Sequence, residues 1–329
     1  MGLLVYAVPK VVYEAPMQGL TGLWGGGSGA LVGGGGASYD WDHIRFDVGT
    51  NVPASETDDP PTLAYIKAGL SSPTSDDMTW KDDTDNLSVD GGIITLLIPE
   101  DGNYKFTIRG ADGAPFNTTL NPGNGTLGSS MYGAGATLVG TMALTEGQAV
   151  GMLMGMTPSG GESGSTGTAG GGGTFIYAAP AVGNNDGFGS NTLYFVAGGG
   201  GGFGHGKSTN VGGQGGQAPH NSITMAPGDG TGSGGSGGQS GGGTRNSGGG
   251  GKGGGSPTTN GNSGAGAGWQ GAGGDSQSGT EGGNWSNEGL LEGGTGNQNG
   301  GWGGGGGASG NGIAGGGGGG YSGGDGGNG

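Results

Sequence analysis

The chain has 329 residues, 100 of them glycine and none cysteine, and a formal charge of −16 from 25 Asp+Glu against nine Lys+Arg. The lack of cysteine excludes disulfides, thiolate metal sites and cysteine nucleophiles. The acidic excess opposes binding to nucleic-acid phosphates or an anionic membrane, and no apolar run approaches the ~20 residues that insert across a bilayer.

Leu3 to Val12 is β-prone, and Gly25–Gly27 and Gly33–Gly36 follow. This reads as an anchor strand with one or two short glycine segments. Met1–Lys10 lacks the basic start and apolar core of a signal peptide. Tyr6 stands where N-myristoylation wants Ser or Thr. Residues 37–90 are acidic and carry Trp41, Phe46, Tyr65 and Trp80, which predicts short strands joined by polar loops. The clusters Glu56/Asp58/Asp59, Asp76/Asp77 and Asp82/Asp83/Asp85 raise the question of calcium. Asp83 to Ser88 lacks the glycine that a calcium loop needs at its sixth position, so a solvated loop is the reading. Residues 1–90 are expected to form a β-rich attachment region.

Residues 92–155 carry the clearest strand signal, within a β domain expected over 91–200. Ile93–Ile98 is a strand, and Pro99-Glu100-Asp101-Gly102-Asn103 is a turn. Tyr104 to Gly110 then alternates with period two, Tyr104, Phe106 and Ile108 on one face and Lys105, Thr107 and Arg109 on the other. Further strands are predicted at Ala136–Leu144, Ala149–Met156, Thr174–Ala178 and Thr192–Ala197. Short strands with turns between them indicate a sandwich of antiparallel sheets. No segment has helical periodicity, so almost no α-helix is expected.

From Gly201 onward roughly 45 % of residues are glycine, against about 7 % in ordinary proteins. Composition leaves two fates open. One is a flexible coil, because glycine loses the most freedom on ordering. The other is a bundle of extended threefold polyglycine II helices, relatives of polyproline II, whose outward N–H and C=O groups bond to neighbouring rods. Collagen is excluded, since the glycines come in irregular runs and prolines are few. Isolated bulky residues, among them Phe203, Trp269, Trp285, Leu290, Leu291, Trp302, Ile313 and Tyr321, set this stretch apart from a Gly/Ser linker. Residues 201–329 are expected to form a bundle interleaved with the β domain.

Gly102-Asn103-Tyr104-Lys105-Phe106-Thr107-Ile108-Arg109-Gly110-Ala111-Asp112-Gly113 resembles the G-x-Y-x-(hydrophobic)-x-x-x-G-A-x-G strand of a glycine-rich domain family. That family includes the ectodomains of anaplastic lymphoma kinase-type receptors, and similar segments occur in bacterial surface proteins and phage tail-fibre adhesins. Leu144–Val150, Gly170–Tyr177, Leu193–Gly202 and Gly315–Gly324 continue the likeness, over about residues 90–329. The resemblance implies an all-β fold: an antiparallel jelly-roll-like sandwich whose loops feed a hexagonally packed polyglycine II bundle. It implies no particular function. Ordering each glycine costs about 1–2 kcal/mol, whereas an inter-rod hydrogen bond contributes about 1 kcal/mol net. The bundle is therefore expected to need the sandwich as a template, with Trp302 and Tyr321 sealing its edges.

Gly201-Gly202-Phe203-Gly204-His205-Gly206-Lys207-Ser208 matches a phosphate-binding loop, but the glycine-rich residues after it do not form the required helix. His43, His205 and His220 show no metal-ligand spacing, and no serine sits in a nucleophile elbow. No enzyme activity, cofactor or metal is expected. The sequons at Asn86, Asn117, Asn124 and Asn284 carry no weight without a signal peptide. Trp269, Trp285 and Trp302 remain. They either cap rods and pack under the sandwich or stand at loop tips as receptor-binding anchors.

These readings lead to a non-enzymatic phage virion protein, a tail-fibre or tip adhesin. Its expected partners are other virion proteins through the N-terminal region and a host-surface receptor, protein or glycan. It would be a homo-oligomer for which a trimer fits, located in the virion tail. The alternative is a bacterial surface or extracellular matrix protein that assembles into filaments. A weaker one is a glycine-rich coil attached to a folded 90–200 domain.

Overall fold

A computed structural model describes residues 6–11, 45–47, 62, 64, 70–71, 82, 84–99, 101–114, 133–158, 167–184, 191–202, 263–269, 284–285, 291–296, 298–308 and 315–321. These are nearly all β, in antiparallel sheets. Their strands are β1 (Tyr6–Val11), β2 (Arg45–Asp47), β3 (Leu70–Ser71), β4 (Leu87–Asp90), β5 (Ile93–Leu97), β6 (Gly102–Arg109), β7 (Thr137–Leu144), β8 (Ala149–Leu153), β9 (Thr174–Ala178), β10 (Leu193–Ala197), β11 (Asn284–Trp285) and β12 (Leu291–Glu292). One sheet has the order β3-β2-β1-β6-β7 and the other β10-β9-β8-β5-β4, with β11 and β12 forming a small pair of their own.

The alternation of β6 sets the first sheet. Tyr104, Phe106 and Ile108 are buried, while Lys105, Thr107 and Arg109 are partly exposed. Their buried face meets Ile94 and Leu96 of β5, Val150 and Met152 of β8, Ile176 of β9 and Phe195 of β10 in one hydrophobic cluster. Phe195 reaches Phe106 at 5.5 Å between ring centres. It fits because its partner across the sheets is Gly140, where a Cβ would collide with the Phe195 ring.

The second sheet is buried on both faces, so β5, β8 and β9 read as near-continuous apolar runs without alternation. Its outer face holds Ile93, Leu153, Phe175, Tyr177 and Val196 against Ala267, Trp269 and Trp302 of the glycine-rich part. β4 joins β5 through Asp90-Gly91-Gly92-Ile93. Both glycines have positive φ, 50° and 78°, as a two-residue type I′ hairpin requires.

The described strands before residue 90 pair with those after it. β1 lies between β2 and β6 in the first sheet, and β4 closes the edge of the second. The strands of residues 1–90 are thus part of the sandwich, because sheet hydrogen bonds ignore separation along the chain.

Candidate functional site at the end of the glycine lattice

β6 runs out into 110–114, β8 into 154–158 and β10 into 198–202, while β7 is entered from 133–136 and β9 from 167–173. Neighbouring strands are antiparallel, so all five open at the same end. There the glycine-rich segments bond main chain to main chain. Gly110 and Gly113 donate to Ala136 and Gly133; Ala111 and Ala114 donate to Gly172 and Ala169. Gly170 and Gly173 donate to Gly306 and Gly303, and Gly199 and Gly202 to Gly319 and Gly316. Gly316 and Gly319 donate to Thr168 and Gly171. Each of these pairings advances by three residues on both partners, unlike the two-residue step of a strand.

Segment 168–173 is the centre. It exchanges backbone bonds with 111–114, 156, 200, 301, 303–306 and 316–319. Its residues are fully surrounded, and so are 199–202, 263–269, 300–308 and 315–320. Such close approach leaves no room for side chains. A Cβ at Gly172 would overlap the Trp302 carbonyl, and one at Gly170 the Gly317 carbonyl. The turn at Trp302–Gly304, which sends the chain back along the lattice, uses positive φ at Gly303 and Gly304, 95° and 85°.

Polar side chains tie the lattice to the sandwich. Thr174 Oγ1 donates to the Arg109 carbonyl at 2.7 Å and accepts from the Gly155 N–H at 3.0 Å, joining β6, β8 and β9 where they leave the sheets. Asp112 accepts from Arg109 at 2.8 Å and from the Gly135 N–H at 2.7 Å. Burial pushes the Asp112 carboxyl above its ordinary value, with the Gly135 bond and the Arg109 charge opposing that rise. Sequence reading missed both residues. The only available signal was a polar residue at the junction of an apolar strand and a glycine run.

Two of the three predicted receptor anchors are buried. Trp302 is wholly buried and Trp269 is 3 % exposed. Trp269 stacks on Phe175 at 5.5 Å and tilts against Tyr177 at 5.6 Å. The packing alternative describes these two indoles, and a receptor cannot reach them. Trp302 was expected at a lattice edge. It sits inside instead, between lattice and sheet, because the second sheet has an apolar outer face to cover. Its Nε1–H has no acceptor among the described residues. Tyr321 is half-buried against the same cluster. Trp285 lies in β11 opposite Leu291; its side chain lies outside the described residues.

The phosphate-loop match begins at Gly201 and Gly202. The Gly202 N–H donates to Gly316, and the Gly201 carbonyl accepts from Gly133, so both residues are engaged in the lattice. Residues 203–208, His43, His205, His220 and the acidic clusters at 56–59 and 76–77 lie outside the described residues.

The far end of the lattice, away from the sheets, is where several described segments stop and others begin. Ala114, Gly133, Thr168, Gly202, Gly264, Gly307 and Gly316 are tied into one region there by consecutive backbone bonds. Described segments stop at Ala114, Pro158, Gly202 and Ala308 and resume at Gly133, Gly167, Ser263 and Gly315, and the residues between lie outside the described residues. At the opposite end the connections are tight. The Glu146 N–H donates to Asp101 at 2.7 Å and the Gly147 N–H to Ile98 at 2.8 Å. No family model matches this chain, and no curated protein matches it.

Proposed function

We propose that the chain is a non-enzymatic phage virion protein, a tail-fibre or tip adhesin. In this reading a jelly-roll-like sandwich templates a polyglycine II bundle, and the bundle presents the segments joined to its far end to a host-surface receptor. One observation carries it: the described segments that stop at 114, 158, 202 and 308, and those that resume at 133, 167, 263 and 315, do so on the same end of a lattice whose interior is backbone. A lattice without side chains has little to offer as a catalyst, but it is a stiff mount for loops. The threefold advance of the hydrogen bonds is the support for the polyglycine II geometry.

Attachment to other virion proteins is assigned to residues 1–90, through the stretches between the strands that enter the sandwich. A homo-oligomer, a trimer for a jelly roll of this kind, multiplies the loop surface.

Two measurements test the reading. Antibody raised against the purified chain should label the tail of virions in electron micrographs. Purified chain that grows into filaments, with no label on virions, refutes the adhesin reading. Amide exchange at 168–173 and 315–320 should be as slow as in β8, and fast exchange there removes the rigid mount.

A further inference from the structure

Among the described residues, the edges of the two main sheets are not alike. β3, at one edge of the first sheet, is two residues long. β4, at one edge of the second, has four residues and ends on Asp90. β10, at the other edge of that sheet, breaks register between Leu193 and Phe195. Short length, a charge and a bulge are devices that keep a sheet edge from recruiting another strand. β7 has none of them. Its eight residues, Thr137-Leu138-Val139-Gly140-Thr141-Met142-Ala143-Leu144, carry no charge and no proline. Their register with β6 is unbroken from Arg109 opposite Thr137 to Gly102 opposite Leu144.

Two separate facts fix which main-chain groups of β7 face outward. One step beyond the paired strands, the Gly110 N–H donates to the Ala136 carbonyl. Bonded pairs alternate along an antiparallel ladder, so Leu138, Gly140, Met142 and Leu144 turn their N–H and C=O groups to β6. Pro9 agrees with this phase. It has no N–H, and it stands on β1 opposite Phe106, so the groups of Phe106 go to Gly140 on the other side. The N–H and C=O groups of Thr137, Val139, Thr141 and Ala143 therefore point off the edge, where no strand meets them among the described residues. Thr137, Thr141 and Ala143 are exposed.

We propose that β7 pairs with β7 of a second copy, antiparallel about a twofold axis at Gly140. In that register Thr137 bonds to the partner's Ala143 and Val139 to the partner's Thr141, and the twofold repeats both pairs. Every outward group of the strand is matched, whereas a slip of two residues either way leaves one pair unmade. A foreign peptide fits less well. Strand addition draws its selectivity from pockets for alternate side chains, and the opening at Gly140 is already filled by the Phe195 ring. Charge permits self-pairing even in a chain at −16. Asp101 and Glu146 sit together at one end of β7, where the Glu146 N–H donates to Asp101. Arg109 stands beside Thr137 at the other end. Antiparallel pairing brings the acidic end of one copy to the Arg109 end of the other. It holds the two acidic ends at least about 26 Å apart, the length of eight residues at ~3.3 Å each. That is well past the ~8 Å over which charges act at physiological salt. The contact uses nothing from the far end of the lattice and does not depend on the adhesin reading. A threefold assembly accepts it as a bond between two trimers.

The full chain should sediment as a dimer in equilibrium with monomer over a concentration series. Thr141→Pro removes one outward N–H from each copy and leaves the ladder to β6 whole. Thr141→Lys sets a charge on the exposed side of the seam, and it carries the test if the proline variant fails to fold. Each should weaken the dimer about tenfold or more, with the near-ultraviolet circular dichroism of the monomer unchanged. The register has its own readout, because the chain has no cysteine. A mixture of the Thr137→Cys chain with the Ala143→Cys chain should form a disulfide-linked pair on mild oxidation. Neither variant alone should do so, since each position stands about 20 Å from its own copy across the twofold. A chain that stays monomeric at every concentration overturns the proposal. So does an oligomer indifferent to Thr141→Lys, or a Thr137→Cys chain that links to itself as readily as to the Ala143→Cys chain. Each of these results leaves virion labelling, the test of the adhesin reading, untouched.

Discussion

Replacing Gly172 by alanine tests the central physical feature of this protein, a core built from main chain. Gly172 donates to the Met156 carbonyl and accepts from the Ala111 N–H, and the Trp302 carbonyl beside it accepts from the Met156 N–H. The new methyl would overlap that Trp302 oxygen and stand 2.9 Å from the Gly303 Cα. Both obstacles are backbone held by neighbours on every side, so neither can swing away as a side chain would. Overpacking costs about 1–3 kcal/mol. Losing two of the three hydrogen bonds adds about 1 kcal/mol each. The expected loss is about 3–5 kcal/mol, a large share of a stability of about 5–15 kcal/mol. That corresponds to a fall in Tm on the order of 10 °C. Gly102→Ala is the comparison, because a Cβ there meets only a Tyr104 ring carbon at 3.6 Å. It should stay within about 0.5 kcal/mol of the parent. Guanidinium denaturation followed by near-ultraviolet circular dichroism, which reads the buried Trp302 and Tyr177, measures both. If Gly172→Ala is as mild as Gly102→Ala, the close-packed lattice is refuted.

Two further outcomes are expected. Trp302→Ala should cost about 3–5 kcal/mol by denaturation, as for other buried aromatic truncations. Trp302→Phe should cost clearly less, since it keeps most of the ring and removes an N–H that has no acceptor among the described residues; equal losses would contradict this. Asp112→Asn should alter the pH dependence of Tm. The Asp112 carboxyl is raised above its ordinary 3.8 chiefly by burial. Its contribution is therefore complete below that value and declines as pH rises through the raised folded value. The parent should lose stability relative to Asp112→Asn from about pH 4 upward, and a Tm difference independent of pH would rule burial out as the dominant influence.

The strands of the middle of the chain were legible because their patterns are local. Thr174–Ala178 lies where β9 is, and the alternation of Tyr104, Phe106 and Ile108 identified the buried face of β6. β8 was read too long, to Met156. Residues 154–156 are apolar enough to prolong a strand, but in the fold they turn into the lattice, where Met156 bonds to Trp302 and Gly172. β4 went unread although Asp90-Gly91-Gly92-Ile93 is a two-residue hairpin signal, since its strand Leu87–Asp90 is short and partly polar. The tryptophans resisted assignment for a different reason. A lone indole in a glycine run looks the same from sequence whether it faces solvent or a sheet.

Composition and periodicity alone determined that this chain would be β-structured, antiparallel and almost without helix, and that its glycines would be either a coil or a backbone-bonded bundle. Local patterns carry that much because strand alternation and helical period are properties of a few adjacent residues. Only the tertiary structure decided that β1 joins β6 across nearly a hundred residues and that Trp269 and Trp302 line the second sheet. Those outcomes depend on which segments meet, and glycine, having no side chain, leaves no mark in the sequence to say which neighbour it will touch.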